Sequence, residues 1–165
     1  MFAVACRSFV TATALENYEQ NGEVDCGQAL HAAAAVCGNS IKSRFLVMCL
    51  EDLRPYTGKY EGSDPQRKLA SPYPTLPRGN VPRGFIGCAV NMIDLEIDHL
   101  HTRTAAGHGL RETVLYRLLG EVQVYETREC MLEAHRCIKY GVVSLDGGIL
   151  REKGVISLGY GSLSL

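Results

Sequence analysis

The sequence lacks long hydrophobic runs, strong net charge and the short motifs that mark common catalytic or metal sites. Its longest apolar run, Phe45–Leu50, is far too short to cross a bilayer, so no membrane partner is expected. The 17 basic and 18 acidic residues leave a formal net charge of -1. That balance argues against a strongly basic, charge-driven nucleic-acid binder, while a local basic patch stays open.

Length and cysteine usage indicate a small intracellular protein. The chain has 165 residues, of which 46% are hydrophobic, enough for one domain or two closely fused lobes. Met1–Val10 has no long apolar core and contains Arg7, so no secretory signal is predicted. The 7 cysteines are odd in number, which favours free thiols in a reducing compartment. Because Phe2–Cys6 already resembles a strand, we interpret the chain as a fragment of a longer protein.

The sequence predicts no metal ion and no cofactor. A zinc site needs three or four ligands, often in paired spacings such as C-x-x-C, and no such pair occurs. His99 and His101 are two residues apart, as are His135 and Cys137, and neither pair completes a ligand set. Cys130 shares the apolar face of a predicted helix with Cys137, where core packing is the simpler interpretation.

One glycine-containing loop, Gly107–Arg111, could present backbone N–H groups to a phosphate at the start of a helix. The P-loop pattern and the G-x-G-x-x-G pattern are both absent, so we favour a tight loop that enters a helix. His108 has no matching nucleophile. We therefore predict no catalytic residue and a protein that is not an enzyme, with a small phosphate-handling enzyme as a third alternative.

Hydrophobic periodicity predicts alternating strands and helices, hence an α/β or mixed α+β fold. The predicted strands are 2–6, 45–50 (buried), 84–93, 122–125 and 142–145. The predicted helices are 11–20, 28–37, 110–119 and 127–139, the last capped by Thr127. Residues 55–84 hold all 6 prolines and form a long irregular connection between two parts of the chain.

Glycines alternate with short apolar runs at the end of the sequence. Asp146-Gly147 is a two-residue hairpin signal, and Ile149-Leu150 and Val155-Ile156 are strand-like. One interpretation is a plain β-hairpin followed by a bend. The other is close backbone approach, in which a terminal strand pair joins the sheet of a second copy.

This closing segment resembles the signature at the end of the hinge domain of SMC (structural maintenance of chromosomes) proteins. The match rests on Val142–Gly147, Gly154–Ser157 and Gly159, with Leu158 where that family has a glycine. Residues 118–125 and the helix at 127–139 follow the order of the same family. Further segments resemble a plant member of the family: Ala3–Arg7, Thr13–Glu16, Cys49–Tyr56, Gly84–Ile93, Gly109–Thr113, Val122–Arg128 and Val143–Ile149.

The resemblance implies an SMC-hinge-like domain of two fused lobes, with small sheets flanked by helices. Within this single domain, lobe one covers about residues 1–54, the connection 55–84 and lobe two about 85–165. It also implies a non-enzymatic scaffold that forms a homodimer through the hinge. The glycines expected at the dimer interface are Gly147, Gly148, Gly154, Gly159 and Gly161.

The plant member acts in RNA-directed DNA methylation and transcriptional gene silencing in the nucleus. The partners that the resemblance implies are a chromatin remodeller, a small single-domain protein and the RNA polymerase V machinery, whose recruitment or transcription the complex supports. The alternative function is a nucleic-acid-binding module of a chromosome-organising protein, which would bind DNA or RNA. The candidate residues for that function are Arg136, Lys139, Arg151 and Lys153.

Overall fold

The computed structural model describes residues 3–152 and 155–157. Its strands are β1 (Ala3–Cys6), β2 (Leu46–Cys49), β3 (Phe85–Cys88), β4 (Gln123–Tyr125), β5 (Val142–Ser144), β6 (Ile149–Glu152) and β7 (Val155–Ser157). Its α-helices are α1 (Phe9–Thr13), α2 (Ala29–Val36), α3 (Ala89–Met92), α4 (Ile97–His101), α5 (Tyr116–Leu119) and α6 (Arg128–Glu133). A π-helical turn (Arg111–Leu115) and two 3-10 turns (Leu50–Asp52 and His135–Cys137) complete a mixed α+β fold.

The strands form two separate sheets. β1 and β2 pair in parallel, with Ala3 opposite Leu46 and Cys6 opposite Cys49. The second sheet has the order β3-β4-β5-β6-β7, in which β4 and β5 run parallel and the other neighbours antiparallel. Parallel strands need a long crossover connection between them. In both parallel pairs that connection contains helices: α1 and α2 between β1 and β2, and α6 between β4 and β5.

Most of the hydrophobic core lies with the five-stranded sheet. One buried cluster joins β4, α6, β5 and β6 through Tyr125, Cys130, Met131, Ala134, Ile138, Val142 and Leu150. A second cluster has Leu69, Cys88 and Val90 at its centre. The partly buried side chains that pack against it are Tyr56, Tyr60, Phe85, Leu115, Tyr116 and Leu119. Within residues 3–54, the buried apolar side chains are those of Cys6 and Leu50.

The proline-rich connection takes part in the second cluster. Leu69 is fully buried, and Asn91 holds its backbone: Leu69 N donates to Asn91 Oδ1, and Asn91 Nδ2 donates to Leu69 O, each at 2.8 Å. Gln66 exchanges two similar hydrogen bonds with the backbone of Leu95, at 3.0 and 2.8 Å. Because side-chain amides replace a strand partner here, an irregular segment can be buried with its backbone groups satisfied.

Two predictions for the first part of the chain are wrong. The helix predicted at 11–20 is instead α1, which begins after Ser8, whose Oγ accepts a hydrogen bond from Thr11 N at 3.4 Å. The chain beyond it turns back, and Tyr18 bridges Val24 in antiparallel fashion. The strand predicted at 45–50 is present as β2, but the burial predicted for it is wrong except at Leu50: Leu46 is 56% exposed and the other residues of β2 are partly exposed.

Two predictions for the second part also need correction. The strand predicted at 84–93 ends at Cys88, where α3 follows directly. The helix predicted at 110–119 begins as a π-helical turn, in which Leu115 N donates to Leu110 O at 3.0 Å. Thr113 Oγ1 donates to Gly109 O at 2.7 Å and so occupies the carbonyl that an α-helical N–H would use. Leu118, expected on the buried face, is 58% exposed.

The remaining predicted elements are confirmed. α2 lies within the predicted range 28–37, and β1, β4 and β5 lie within theirs. Thr127 caps α6 as predicted, because its side chain accepts a hydrogen bond from Cys130 N at 3.3 Å. The α-helical part of 127–139 is shorter than predicted, since it passes into a 3-10 turn after Ala134.

Candidate assembly surface

The Asp146-Gly147 turn is the first predicted site feature. β5 and β6 pair in antiparallel fashion around it, with Val142 opposite Leu150, which confirms the hairpin. Gly147 is exposed and has φ +85, with no atom within 4 Å of the position that a Cβ would occupy. A side chain would fit in the space at this position. It would be unfavourable because residues other than glycine rarely adopt a positive φ.

Side-chain hydrogen bonds fix this turn to the start of α6. Both carboxylate oxygens of Asp146 accept hydrogen bonds from Arg128 N, at 2.9 and 3.0 Å. Ser144 Oγ donates to the same carboxylate and accepts from Gly148 N at 2.8 Å. The Arg128 N–H and then the Ser144 hydroxyl favour the charged carboxylate, so they lower the pKa of Asp146. The hairpin is therefore held against α6 in one orientation.

Gly148 is buried against its own chain. A Cβ at this position would lie 2.5 Å from Ser144 Oγ and 3.2 Å from both Arg128 Cγ and Met131 Cε. The glycine thus lets β6 approach α6 closely. The other predicted interface glycines lie outside the described residues: Gly154, Gly159 and Gly161. Leu158, where the family has a glycine, lies outside them as well.

The described candidates for nucleic-acid binding are all exposed. Arg136 lies in the 3-10 turn after α6, Lys139 follows that turn, and Arg151 lies on β6. Within the described part of the chain, none of the three takes part in a salt bridge. A Cβ on Gly141 would lie 3.4 Å from Arg151 O, so the segment that carries Lys139 runs beside β6. Lys153 lies outside the described residues.

The first part of the chain, residues 3–54, buries little apolar surface of its own. α1 has no buried residue, and the buried residue of α2 is His31, whose Nε2 lies 3.3 Å from Glu16 Oε2. A groove of about 990 Å³ opens beside this pair. Large apolar side chains are exposed instead: Phe9 (68%), Val10 (77%), Val36 (89%) and Leu46 (56%). Several large apolar side chains left exposed on one short segment are typical of regions where another polypeptide docks.

Free sheet edges add to this surface. β1 and β2 have no other strand partner among the described residues, so each leaves one edge of backbone N–H and C=O groups outside the ladder. In the five-stranded sheet, β3 and β7 are the outer strands over the same residues. Such edges can accept a strand from another chain.

Sequence reasoning missed the buried role of Arg111. This side chain is 1% exposed, and its guanidinium donates to Gln66 O (2.9 Å), Ile93 O (2.6 Å), Val90 O and Gln66 Oε1 (3.1 Å). Burial lowers the pKa of Arg111, since the charged form loses hydration. These carbonyl and amide oxygens occupy the guanidinium donors, so the Arg111 side chain acts within the fold.

Glu112 next to it is also 1% exposed. Its Oε1 accepts hydrogen bonds from Arg67 Nη2 at 2.8 Å and from Tyr60 OH at 3.3 Å. Burial raises the pKa of Glu112, but the backbone N–H groups of Gly109 and Glu112, followed by Arg67, outweigh burial and leave that pKa lowered. The sequence places this Arg-Glu pair at the start of an amphipathic predicted helix, 110–119.

Two kinds of site can be checked over residues 3–152 and 155–157. No three His, Cys, Asp or Glu side chains of these residues come together as metal ligands would. None of the helices in the same ranges combines the length and the hydrophobicity needed to span a bilayer.

Two small sheets, helices packed on them and an uncovered apolar surface define a mixed α+β domain suited to association. Among known proteins, the chain is 41% identical over 160 residues to the Structural maintenance of chromosomes flexible hinge domain-containing protein GMI1 of Arabidopsis thaliana. The match covers 96% of this chain but 9% of that protein, so the chain spans less than a tenth of its relative. No family model matches the chain. The chain is an SMC-hinge-like protein, and both the family resemblance and the fold class predicted from the sequence are confirmed.

Proposed function

We propose that this chain is a dimerising, non-enzymatic hinge domain that serves as a scaffold, built from the two lobes and the connection predicted above. The exposed apolar surface of residues 3–54 carries this proposal. A segment with two buried apolar side chains gains little free energy from folding by itself. Contact with another polypeptide would supply the missing burial.

A second copy of the chain is the partner that best fits this surface. A two-fold pair would let each copy cover the apolar side chains of its partner, and it would let free sheet edges pair across the contact. The relationship to a protein named for an SMC flexible hinge domain supports the same arrangement. In this proposal Gly147, Gly148, Gly154, Gly159 and Gly161 lie at or next to the contact.

Light scattering coupled to size-exclusion chromatography tests the dimer. The chain has a mass of 18.1 kDa, and at micromolar concentration we expect twice that mass. Val10→Asp should increase the monomer fraction, because it places a charge on the apolar surface of α1. Leu118→Asp, at a similarly exposed apolar position on α5, is the matched control and should leave the mass unchanged. A wild-type monomer at every concentration would overturn the proposal.

The interface role of the glycines needs its own variant. Gly154→Val should weaken dimerisation, since a β-branched side chain prevents close backbone approach. Gly79→Val, at an exposed turn of the connection where a side chain has open space, controls for a general effect of replacing a turn glycine. If both variants keep the wild-type mass, the closing glycines form turns and do not mediate the contact.

We also infer that the hinge acts in RNA-directed DNA methylation and transcriptional gene silencing in the plant nucleus. The support is the resemblance of Cys49–Tyr56 and Gly84–Ile93 to the plant protein defective in meristem silencing 3. In this role the scaffold joins a chromatin remodeller and a small single-domain partner, and it assists RNA polymerase V. Affinity purification of the tagged full-length protein from nuclei should recover these partners, whereas recovery of none of them would remove the support.

The alternative function, a nucleic-acid-binding module, is favoured by the exposed, unpaired cations Arg136, Lys139 and Arg151 of the described chain. Fluorescence anisotropy with labelled DNA and RNA at low and high salt tests it. Binding that weakens steeply with salt, and that weakens further in Arg136→Ala, would support phosphate contacts. Absence of binding at low salt would exclude this function.

A further inference from the structure

Two of the 7 cysteines face each other across the two-stranded sheet. Cys6 ends β1, Cys49 ends β2, and the two are partners in the register of the parallel pair. Their Sγ atoms lie 3.8 Å apart. Register partners project from the same face of a sheet, and adjacent strands place Cα atoms within the range of about 4.4–6.8 Å that a disulfide spans.

The surroundings of the two thiols differ. Cys6 is buried, and its Sγ also contacts Ser8 O at 3.4 Å. Burial, and then the neighbouring Cys49 thiol, raise the pKa of Cys6. Cys49 is partly exposed. A small oxidant in solution therefore reacts first with the accessible thiol of Cys49. The buried thiol of Cys6 lies beside it and is protected from direct oxidation.

We propose that Cys6 and Cys49 are a modification site that closes to a reversible disulfide when the protein meets a peroxide. The Cys49 thiolate attacks one peroxide oxygen, the O–O bond breaks, and the departing hydroxide takes the thiol proton to become water. Cys6 sulfur then attacks the sulfur of the Cys49 sulfenic acid, the S–O bond breaks, and the hydroxyl leaves as water with the Cys6 proton. Two thiols and one hydrogen peroxide thus give one disulfide and two waters.

The position of the bond gives it a structural effect. It joins the only two strands in residues 3–54 of the described chain and closes a loop that contains α1 and α2. Because this part of the chain buries few apolar side chains, a covalent link between β1 and β2 restricts its opening more than it would in a well-packed sheet. The proposal does not depend on dimerisation, so either can fail without the other.

The other cysteines provide internal controls. Cys26 and Cys37 are exposed, Cys130 and Cys88 are buried in the first and second clusters, and Cys137 Sγ donates to Thr75 O at 3.2 Å. Exposure alone would select Cys26 and Cys37, whereas paired geometry selects Cys6 and Cys49.

Mild hydrogen peroxide treatment of the native full chain, followed by alkylation and peptide mapping, tests the site. We expect a loss of two of the 7 free thiols, a linked peptide pair that contains Cys6 and Cys49, and recovery of both thiols with dithiothreitol. Cys49→Ser should abolish the loss, and Cys26→Ser should leave it unchanged. Equal thiol loss in wild type and Cys49→Ser would overturn the proposal.

A second variant keeps the test independent of the first. Cys6→Ser should accumulate a Cys49 sulfenic acid that dimedone traps, because the resolving thiol is gone, while wild type should not accumulate it. Circular dichroism confirms that each variant is folded before treatment. Sulfenic or sulfinic acid at Cys49 of the wild type, with no linked peptide, would overturn the proposal.

Discussion

Replacing Arg111 with methionine should destabilise the protein strongly, although methionine is apolar and has a similar length. The guanidinium donates to three backbone carbonyls, those of Gln66, Val90 and Ile93, and to the Gln66 side chain. These acceptors belong to the proline-rich connection and to the segment around α3. One side chain therefore holds together pieces that are distant in sequence.

The size of the effect follows from the acceptors that are left behind. A buried polar group that loses its partner costs about 1–3 kcal/mol, so three carbonyls would cost roughly 3–9 kcal/mol. Relief from burying the guanidinium charge offsets part of that loss. We expect a net loss of about 3–5 kcal/mol, a large share of the roughly 5–15 kcal/mol by which domains are stable.

Urea unfolding at fixed protein concentration, followed by circular dichroism, measures this loss. With an m-value of about 2 kcal/mol/M, the midpoint should fall by roughly 1.5–2.5 M. Arg117→Met, at an exposed position on α5, is the matched control and should change stability by less than about 0.5 kcal/mol. The loss of stability in Arg111→Lys should lie between those of Arg111→Met and Arg117→Met, because one ammonium group cannot donate to all of these oxygens. A loss below about 1 kcal/mol for Arg111→Met would refute the reasoning.

Two further changes can be measured in the same titration. Gly84→Ala should cost about 1–3 kcal/mol, because Gly84 has φ +66 and a Cβ would lie 2.8 Å from Cys130 Sγ; Gly87→Ala, where the Cβ has open space, should cost little. The pKa of Glu112 is below its ordinary value of 4.5 in the folded chain, so its stabilisation is complete above that value and is lost as pH falls through the folded pKa. The stability advantage of wild type over Glu112→Gln should therefore shrink on acidification, and an advantage that is independent of pH would contradict this assignment.

Local signals account for the parts of the fold that the sequence predicted well. Thr127 caps α6 and Asp146-Gly147 turns the β5–β6 hairpin because each acts within a few residues of chain. Four consecutive alanines in α2 favour a helix, which explains why the predicted range lies close to the observed one.

Contacts between distant residues account for the rest. The bonds that place Arg111 join it to Gln66, 45 residues away, and no local pattern reveals such a partner. The prolines predict an irregular connection, but no local pattern shows that the amide side chain of Asn91 satisfies the backbone of Leu69. For the site, the sequence indicated the hairpin glycines, but the uncovered side chains of α1 depend on tertiary packing that periodicity cannot show.

The uneven distribution of the core has a consequence for how the molecule fluctuates. The buried clusters lie within residues 69–150, so the amides of β4 should exchange with solvent only when the whole domain unfolds. Amides of β1 and β2 can exchange through a smaller opening confined to residues 3–54, because that opening exposes little apolar surface. A partner that docks on this part would slow its exchange selectively, and hydrogen-exchange protection would then report association at one end of the chain while β4 stayed unchanged.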